Sequence, residues 1–256
     1  MNKIDALFKN RSKSVLSIYL TAGFPKIDSL STIIPVLEKS GVDLLEIGMP
    51  FSDPLADGPV IQQASQQALE NGMNLNLLFE QLEKIPFKIP VILMGYLNPV
   101  IQYGIERFLR RCKAVGVSGT ILPDLPIPEY LKYQKVFEEN GIHNVLLVTP
   151  QTSSERVIKL ASLSRGFLYV VSSSSTTGTR SFAQVESSYF EKLKQLNLQI
   201  PRMIGFGIQS RQDFKRAGEL ADGAIIGTRF IQLLFDKTTD KDDDIESHIV
   251  KFVRGL

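Results

Sequence analysis

The stretch LLEIGMPFSDPLADGP, residues 44–59, is typical of a buried strand that turns abruptly into a shaped loop. Because side chains alternate along a strand, Leu44 and Glu46 share one of its faces. Glu46 ends a run that otherwise resembles core. An ionised carboxylate in such a place requires a partner, a raised pKa or a chemical role. The ordinary alternative is that Glu46 caps a neighbouring turn.

The loop that follows this strand has an unusual composition. Residues 48–59 contain three prolines and two glycines, together with the acids Asp53 and Asp57. Proline and glycine restrict the backbone to particular turns, so this composition predicts a loop of defined shape. Both acids are either ordinary loop residues or part of a site. Their place on a loop built in this way favours the site.

Apolar strands alternate with helical segments along the whole chain. The predicted strands are 15–20, the strand that carries Glu46, 91–96, 117–122, 144–148, 167–171, 202–204 and 223–226. Eight such units in about 250 residues are typical of a parallel (β/α)8 TIM barrel, an α/β fold. An open doubly wound sheet is the alternative, because the pattern alone does not show closure. No linker divides the chain, so we expect a single barrel domain over residues 1–256.

Helical periodicity supplies the segments between these strands. A short N-terminal helix over residues 3–10 has Ile4, Leu7 and Phe8 on one side and is a candidate plug for one end of the barrel. The other predicted helices and helical pieces are 28–40, 60–70, 75–84, one through Phe108 and Cys112, 129–140, 154–164, 189–196, 230–235 and 245–254.

Composition excludes several classes of function. The net charge is +2, from 29 basic and 27 acidic residues, which gives no electrostatic case for nucleic acid binding. No apolar run approaches the ~18 residues of a membrane helix, and the N-terminus lacks the apolar segment of a signal peptide. We therefore expect a cytoplasmic protein. The single cysteine, Cys112, matches helical spacing and is predicted to be a core residue, and no metal-ligand spacing is present.

In a barrel, ligands bind at the carboxyl ends of the strands, and the unusual residues of this chain fall there. Gly207 and Gly227 follow the last two predicted strands, where backbone amides can approach an anion such as phosphate. A tight turn is the alternative for residues 205–207 taken alone. The polar run Ser172–Ser181 is either a mobile lid or an exposed loop.

The motifs together resemble the tryptophan synthase alpha subunit family. The string PFSDPLADGP at residues 50–59 is highly specific, and the likeness continues through TAG at 21–23, YLNP at 96–99, DLP at 124–126, TG at 177–178 and GFGI at 205–208. The resemblance implies a (β/α)8 barrel that cleaves indole-3-glycerol phosphate to indole and glyceraldehyde 3-phosphate. It also implies a beta subunit partner in an α2β2 heterotetramer, with pyridoxal phosphate in that partner and no cofactor in this chain.

Site residues are carried over by position in the matching motifs. By resemblance, Glu46 and Asp57 are the two catalytic carboxylates. The remaining positions are substrate-binding: Tyr19, Tyr169 and Phe206 in the indole pocket, Gly178, Gly207, Gly227 and Thr228 at the phosphate site, and Thr177 beside Gly178. Thr228 stands where the family more often has serine, and the sixth loop lacks one glycine that the family usually has.

Two other functions remain open at this point. The chain is alternatively an allosteric partner subunit with weak activity alone, in which case its proline-rich rims form contact surface. A third reading is another phosphate-binding barrel enzyme, such as a sugar-phosphate isomerase or aldolase. No lysine is well placed at a strand end to form a Schiff base, which counts against the aldolase.

Overall fold

The computed structural model describes residues 1–172, 187–238 and 244–256. Within them, parallel strands pair in chain order and the last strand pairs with the first, so the sheet closes into a barrel. The strands are β1 Val15–Thr21, β2 Leu44–Gly48, β3 Val91–Met94, β4 Gly119–Ile121, β5 His143–Val148, β6 Leu168–Val171, β7 Arg202–Gly205 and β8 Gly223–Ile226. The predicted (β/α)8 barrel is confirmed, and the open-sheet alternative is excluded.

Helices surround this barrel. They are α1 Lys3–Asn10, α2 Leu30–Lys39, α3 Pro59–Glu70, α4 Leu75–Lys84, α5 Leu97–Tyr103, α6 Ile105–Ala114, α7 Ile127–Asn140, α8 Ser154–Leu163, α9 Ser187–Gln195, α10 Arg211–Leu220, α11 Thr228–Thr238 and α12 Ile245–Arg254. The strands are mainly apolar because helices cover the outer face of the sheet and side chains fill its interior. All seven residues of β1 are buried.

Two helices, α5 and α10, were not among the sequence predictions. A sequence signal existed for α10, since Ser210 and Asp213 form a capping box at its start. The Ser210 side chain accepts from the Asp213 N–H, and the Asp213 carboxylate accepts from the Ser210 N–H. The α10 helix completes the unit between β7 and β8.

Helix α1 lies against the amino-terminal end of the barrel, as the plug prediction required. Ile4 is fully buried, and Leu7 and Phe8 pack partly buried against the core. The Asn2 side chain caps the helix by accepting from the Ile4 N–H at 2.8 Å. Asp5 contacts the ring of His143, the first residue of β5, at 2.9 Å. Because α1 covers the amino-terminal end of the barrel, the carboxyl-terminal end is the one available for a site.

Candidate active site

A cavity of about 650 Å³, counting space open to solvent, lies at the carboxyl-terminal end of the barrel. This volume is in the range of small-molecule sites. The cavity is lined by Tyr19, Glu46, Asp57, Gly58, Ile61, Met94, Tyr169, Phe206, Gly207, Ile208, Gln209, Ile225, Gly227 and Thr228. It has acids and tyrosines, an apolar wall, and backbone from the turns after β7 and β8.

Glu46 lies on β2 and is completely buried. The Ser17 hydroxyl on neighbouring β1 donates to its Oε1 at 3.2 Å. Its Oε2 is buried and has no hydrogen-bond partner in the described part of the chain. Burial disfavours the charged form and raises the pKa of Glu46 from 4.5 to about 8, although the Ser17 hydrogen bond opposes the shift. Near neutral pH this side chain is therefore mainly a neutral acid with a proton to donate.

Asp57 lies on the loop between β2 and α3 and faces the same cavity. The Tyr96 hydroxyl donates to its Oδ2 at 3.3 Å and accepts from the Ala56 N–H at 2.9 Å. Tyr96 follows β3, so this tyrosine ties the loop to the next strand. Burial raises the pKa of Asp57 from 3.8 to about 6, and the hydrogen bond from Tyr96 opposes this. Near neutral pH Asp57 is mainly a carboxylate.

The two acids thus occupy opposite protonation states in one cavity. Pairs of titratable groups whose surroundings separate their charge states are a common basis of acid and base assignments. Among the described residues Glu46 has one weak donor, and it is deeply buried, whereas Asp57 is partly exposed and accepts a phenolic hydrogen bond. The arrangement supplies a proton donor and a fixed negative charge to a bound molecule.

Tyr19 and Tyr169 form buried walls beside Glu46. Tyr19 is the register partner of Glu46 on β1. A Cβ atom on Gly48 would lie 2.1 Å from the Tyr19 hydroxyl oxygen, and one on Gly205 would lie 2.1 Å from that of Tyr169. Glycine at these two positions therefore makes room for the phenols. Burial, reinforced by the nearby acids, raises the pKa of both tyrosines, so both remain neutral.

Another part of the cavity wall is formed by the turns that follow β7 and β8. Phe206 has a left-handed backbone with φ of 69°, and its ring packs on Tyr169 at a centroid distance of 6.2 Å. Gly207, Gly227 and Thr228 line the cavity here. Helix α11 begins at Thr228, so its first N–H groups lie at this edge. A helix N-terminus with adjacent glycines is a favourable place for an anion.

The cavity brings together eight of the residues predicted for the site: Tyr19, Glu46, Asp57, Tyr169, Phe206, Gly207, Gly227 and Thr228. Their roles remain predictions. Thr177 and Gly178 lie outside the described residues, as does the Ser172–Ser181 run apart from Ser172. Met94 also lines the cavity, and Tyr96 lines a smaller adjoining one that shares Tyr19, Asp57 and Met94.

Other residues in the cavity wall or directly behind it were not predicted. Ser17 lies two positions before Tyr19 on β1, so the period of two identifies its face, but nothing in the sequence identifies it as the partner of Glu46. Ile61, Ile208 and Ile225 add apolar wall. Ile61 lies on α3, Ile208 in the turn after β7 and Ile225 on β8, and no sequence signal separates Ile61 and Ile225 from other buried isoleucines.

The described residues give no sign of a metal centre or a membrane span. In them, no three His, Cys, Asp or Glu side chains lie close enough to hold a metal ion. No helix in the same ranges is long and apolar enough to cross a bilayer. The predicted absence of a metal and of a cofactor stays a prediction.

The closed barrel and this cavity define a (β/α)8 protein whose site combines a neutral acid, a carboxylate and an anion-favouring edge. The family model described as tryptophan synthase alpha chain matches residues 6–254. The chain therefore belongs to the tryptophan synthase alpha chain family, as the sequence motifs predicted.

Named relatives agree with this assignment over their full lengths. The tryptophan synthase alpha chain of Flavobacterium psychrophilum is 50% identical over 260 residues, covering 100% of both chains. That of Phocaeicola vulgatus is 46% identical, covering 100% of this chain and 99% of the relative. A crystal structure of the alpha chain from Legionella pneumophila subsp. pneumophila has a TM-score of 0.84 at 32% identity, covering 100% of this chain and 98% of that one.

Proposed function

We propose that this chain is the alpha subunit of a tryptophan synthase and cleaves indole-3-glycerol phosphate to indole and glyceraldehyde 3-phosphate. The observation that carries the proposal is Glu46, a fully buried carboxyl group that lines the cavity and has a pKa of about 8. A neutral buried acid beside a carboxylate suits several reactions. Membership of the tryptophan synthase alpha chain family selects indole-3-glycerol phosphate among the possible substrates.

The reaction breaks the bond between carbon three of the indole ring and the glycerol chain. The ring must gain a proton at that carbon, and the hydroxyl on the adjoining glycerol carbon must lose one to become an aldehyde. Glu46 is protonated near neutral pH and supplies the first proton. As a carboxylate it then accepts the hydroxyl proton while the electrons of the breaking bond return to the ring. The residue ends in its starting state, and indole leaves neutral.

Asp57 supports the same step from the loop. Protonation at carbon three places positive charge on the ring nitrogen, and a carboxylate beside the N–H stabilises that charge. Asp57 suits this role because its pKa of about 6 leaves it charged near neutral pH. Tyr96 orients it through the 3.3 Å hydrogen bond.

The lining of the cavity suits both the ring and the phosphate of this substrate. Tyr19, Tyr169 and Phe206 offer aromatic surface to an indole ring. Gly207, Gly227 and Thr228 offer backbone N–H groups and a hydroxyl to the phosphate, and the start of α11 adds the partial positive charge of a helix N-terminus. Thr177 and Gly178 complete this binding set in the proposal.

We further propose a beta subunit as the partner, in an α2β2 complex that passes indole to a pyridoxal phosphate site in that subunit. The support is the alpha chain family itself. This chain then needs no cofactor of its own, acts in the cytoplasm and functions as one barrel domain over residues 1–256.

Detection of indole from indole-3-glycerol phosphate tests the proposal. We expect turnover by the wild type, a loss of at least about a thousandfold in Glu46→Gln, and unchanged turnover in the control Glu106→Gln, whose side chain is 63% exposed on α6. Substrate affinity should survive in Glu46→Gln because the amide keeps the side-chain shape. Undiminished turnover in Glu46→Gln would reject the assignment.

The same assay separates the other candidate functions. Addition of a tryptophan synthase beta subunit should increase indole turnover, and full activity without that partner would argue against a mainly allosteric role. Sugar phosphates should not be converted. Conversion of a sugar phosphate in place of indole-3-glycerol phosphate would identify another phosphate-binding barrel enzyme.

A further inference from the structure

The peptide group between Phe206 and Gly207 occupies an unusual place in the cavity wall. Phe206 is one of only two non-glycine residues with positive φ in the described ranges, at 69°, and Gly207 follows with φ of 75°. Left-handed backbone is costly for a residue with a β-carbon and is found where surrounding structure holds it. Something outside the turn must therefore stabilise this conformation.

Ser172 provides that support from the end of β6. Its hydroxyl donates to the Phe206 carbonyl oxygen at 2.7 Å, and its N–H donates to the Gly205 carbonyl oxygen at 3.1 Å. The second bond continues the pairing of Val171 with Gly205. Ser172 is only 1% exposed and does not line the cavity. Ser172 therefore contacts the turn from the side that faces away from the cavity.

A trans peptide group is planar, so its carbonyl and its N–H point in opposite directions. Holding the Phe206 carbonyl toward Ser172 therefore directs the Gly207 N–H the other way, to the side where Gly207 lines the cavity. No acceptor for this N–H exists among the described residues. Glycine tolerates either sign of φ, so Gly207 itself does not fix the orientation of the peptide.

We propose that Ser172 is a positioning residue for phosphate: its hydroxyl locks the Phe206–Gly207 peptide with the Gly207 N–H aimed into the cavity. The inference rests on the proposed function, since it assumes that the phosphate binds at this edge. A donor on the carbonyl also polarises the peptide and strengthens its N–H as a donor. Ser172 touches no substrate and acts only through this peptide.

Ser172→Ala removes the hydroxyl and keeps the backbone bond to Gly205. The control is Ser164→Ala, because Ser164 is 2% exposed and its hydroxyl donates to the Phe167 carbonyl oxygen, also at 2.7 Å. The same hydroxyl accepts from the Leu146 N–H at 2.9 Å, so this variant loses at least as much hydrogen bonding as Ser172→Ala. Ser164 precedes β6 at the amino-terminal end of the barrel, away from the cavity. Both variants lose a buried hydroxyl that donates to a carbonyl oxygen, but only in Ser172→Ala does that carbonyl belong to the turn that lines the cavity.

Titration calorimetry with glycerol 3-phosphate and, separately, with indole gives the readout. In Ser172→Ala we expect affinity for glycerol 3-phosphate to fall about five- to tenfold, the usual effect of one hydrogen bond, while indole affinity stays within about twofold. Ser164→Ala should leave both affinities unchanged. With indole-3-glycerol phosphate as substrate, KM should rise more than kcat falls.

Three results would overturn the inference. One is an unchanged affinity of Ser172→Ala for glycerol 3-phosphate, and another is an equal loss for both probes, which would indicate a general structural role. The third is a wild type that binds neither probe and releases no indole, which would remove the proposed function as well. If Ser172→Ala does not fold, Ser172→Cys keeps a side chain of similar size with a weaker donor. It must then bind glycerol 3-phosphate more weakly than the wild type while its affinity for indole stays within about twofold.

Discussion

Replacing Glu46 with glutamine tests whether the pKa of Glu46 is raised in the folded protein. The readout is the pH dependence of protein stability, which needs no substrate. A carboxyl group whose pKa is higher in the folded than in the unfolded state binds its proton more tightly when folded. Stability from this group is therefore fully present below the unfolded-state pKa and is lost as the pH rises toward the folded-state pKa. For Glu46 that window extends from 4.5 to about 8.

The size of the effect follows from these two values. Each pKa unit corresponds to about 1.4 kcal/mol, so the free energy of unfolding has lost about 1 kcal/mol at about pH 5.5 and about 4 kcal/mol at about pH 8. Glutamine keeps an acceptor for the Ser17 hydroxyl and does not titrate. The difference in stability between wild type and Glu46→Gln should therefore change by about 3 kcal/mol over this range, to the disadvantage of the wild type at high pH.

Urea unfolding of both proteins at a series of pH values measures this difference. Asp57 and the other titrating groups are present in both chains, so their contributions largely cancel. Any constant cost of the glutamine amide shifts the curve without changing its slope. A stability difference that stays flat within about 0.5 kcal/mol between about pH 5.5 and about pH 8 would refute a raised pKa at Glu46.

Three further perturbations address other parts of the site. Asp57→Asn should lower kcat for indole release by at least about a hundredfold with little effect on stability, and normal kinetics would remove its assigned role. Tyr96→Phe deletes the donor to Asp57 and the acceptor for the Ala56 N–H; we expect a higher pKa of Asp57 by NMR titration, and an unchanged or lower value would contradict the hydrogen bond. Burial raises the pKa of the Cys112 thiol well above its usual value, so the native protein should react slowly with a thiol reagent. In urea the same reagent should label one cysteine per chain, and fast labelling of the native protein would contradict the burial of Cys112 on α6.

The sequence predicted the barrel well, because the alternation of apolar strands and helices is set by burial on both faces of a parallel sheet. The run VLSIYL at residues 15–20 and the run HNVLLV at residues 143–148 need no tertiary information to be recognised. Helix α10 was missed because its residues are largely polar. Its capping box was the usable signal.

Some residues of the site could be predicted from the sequence, and others could not. Glu46 and the late glycines were found from their positions at strand ends, and Asp57 was found from the composition of the loop that follows β2. The partners that set their chemistry were not: the Ser17 bond to Glu46, the Tyr96 bond to Asp57 and the Ser172 bond to Phe206 join residues 29, 39 and 34 positions apart. Such pairings depend on strand register and side-chain direction, and a single sequence does not specify them.

The pH dependence of kcat/KM for indole release tests the central claim most directly, because it reports the ionisation of the free enzyme. Glu46 must be protonated and Asp57 charged, so the rate should fall below about pH 6 and above about pH 8. In Asp57→Asn the residual kcat/KM should no longer fall on the acidic side of the profile. This result would assign the acidic fall in the wild type to Asp57 and not to ionisation of the substrate phosphate. A profile that stays level or keeps rising through pH 8 would contradict a neutral Glu46 as the proton donor.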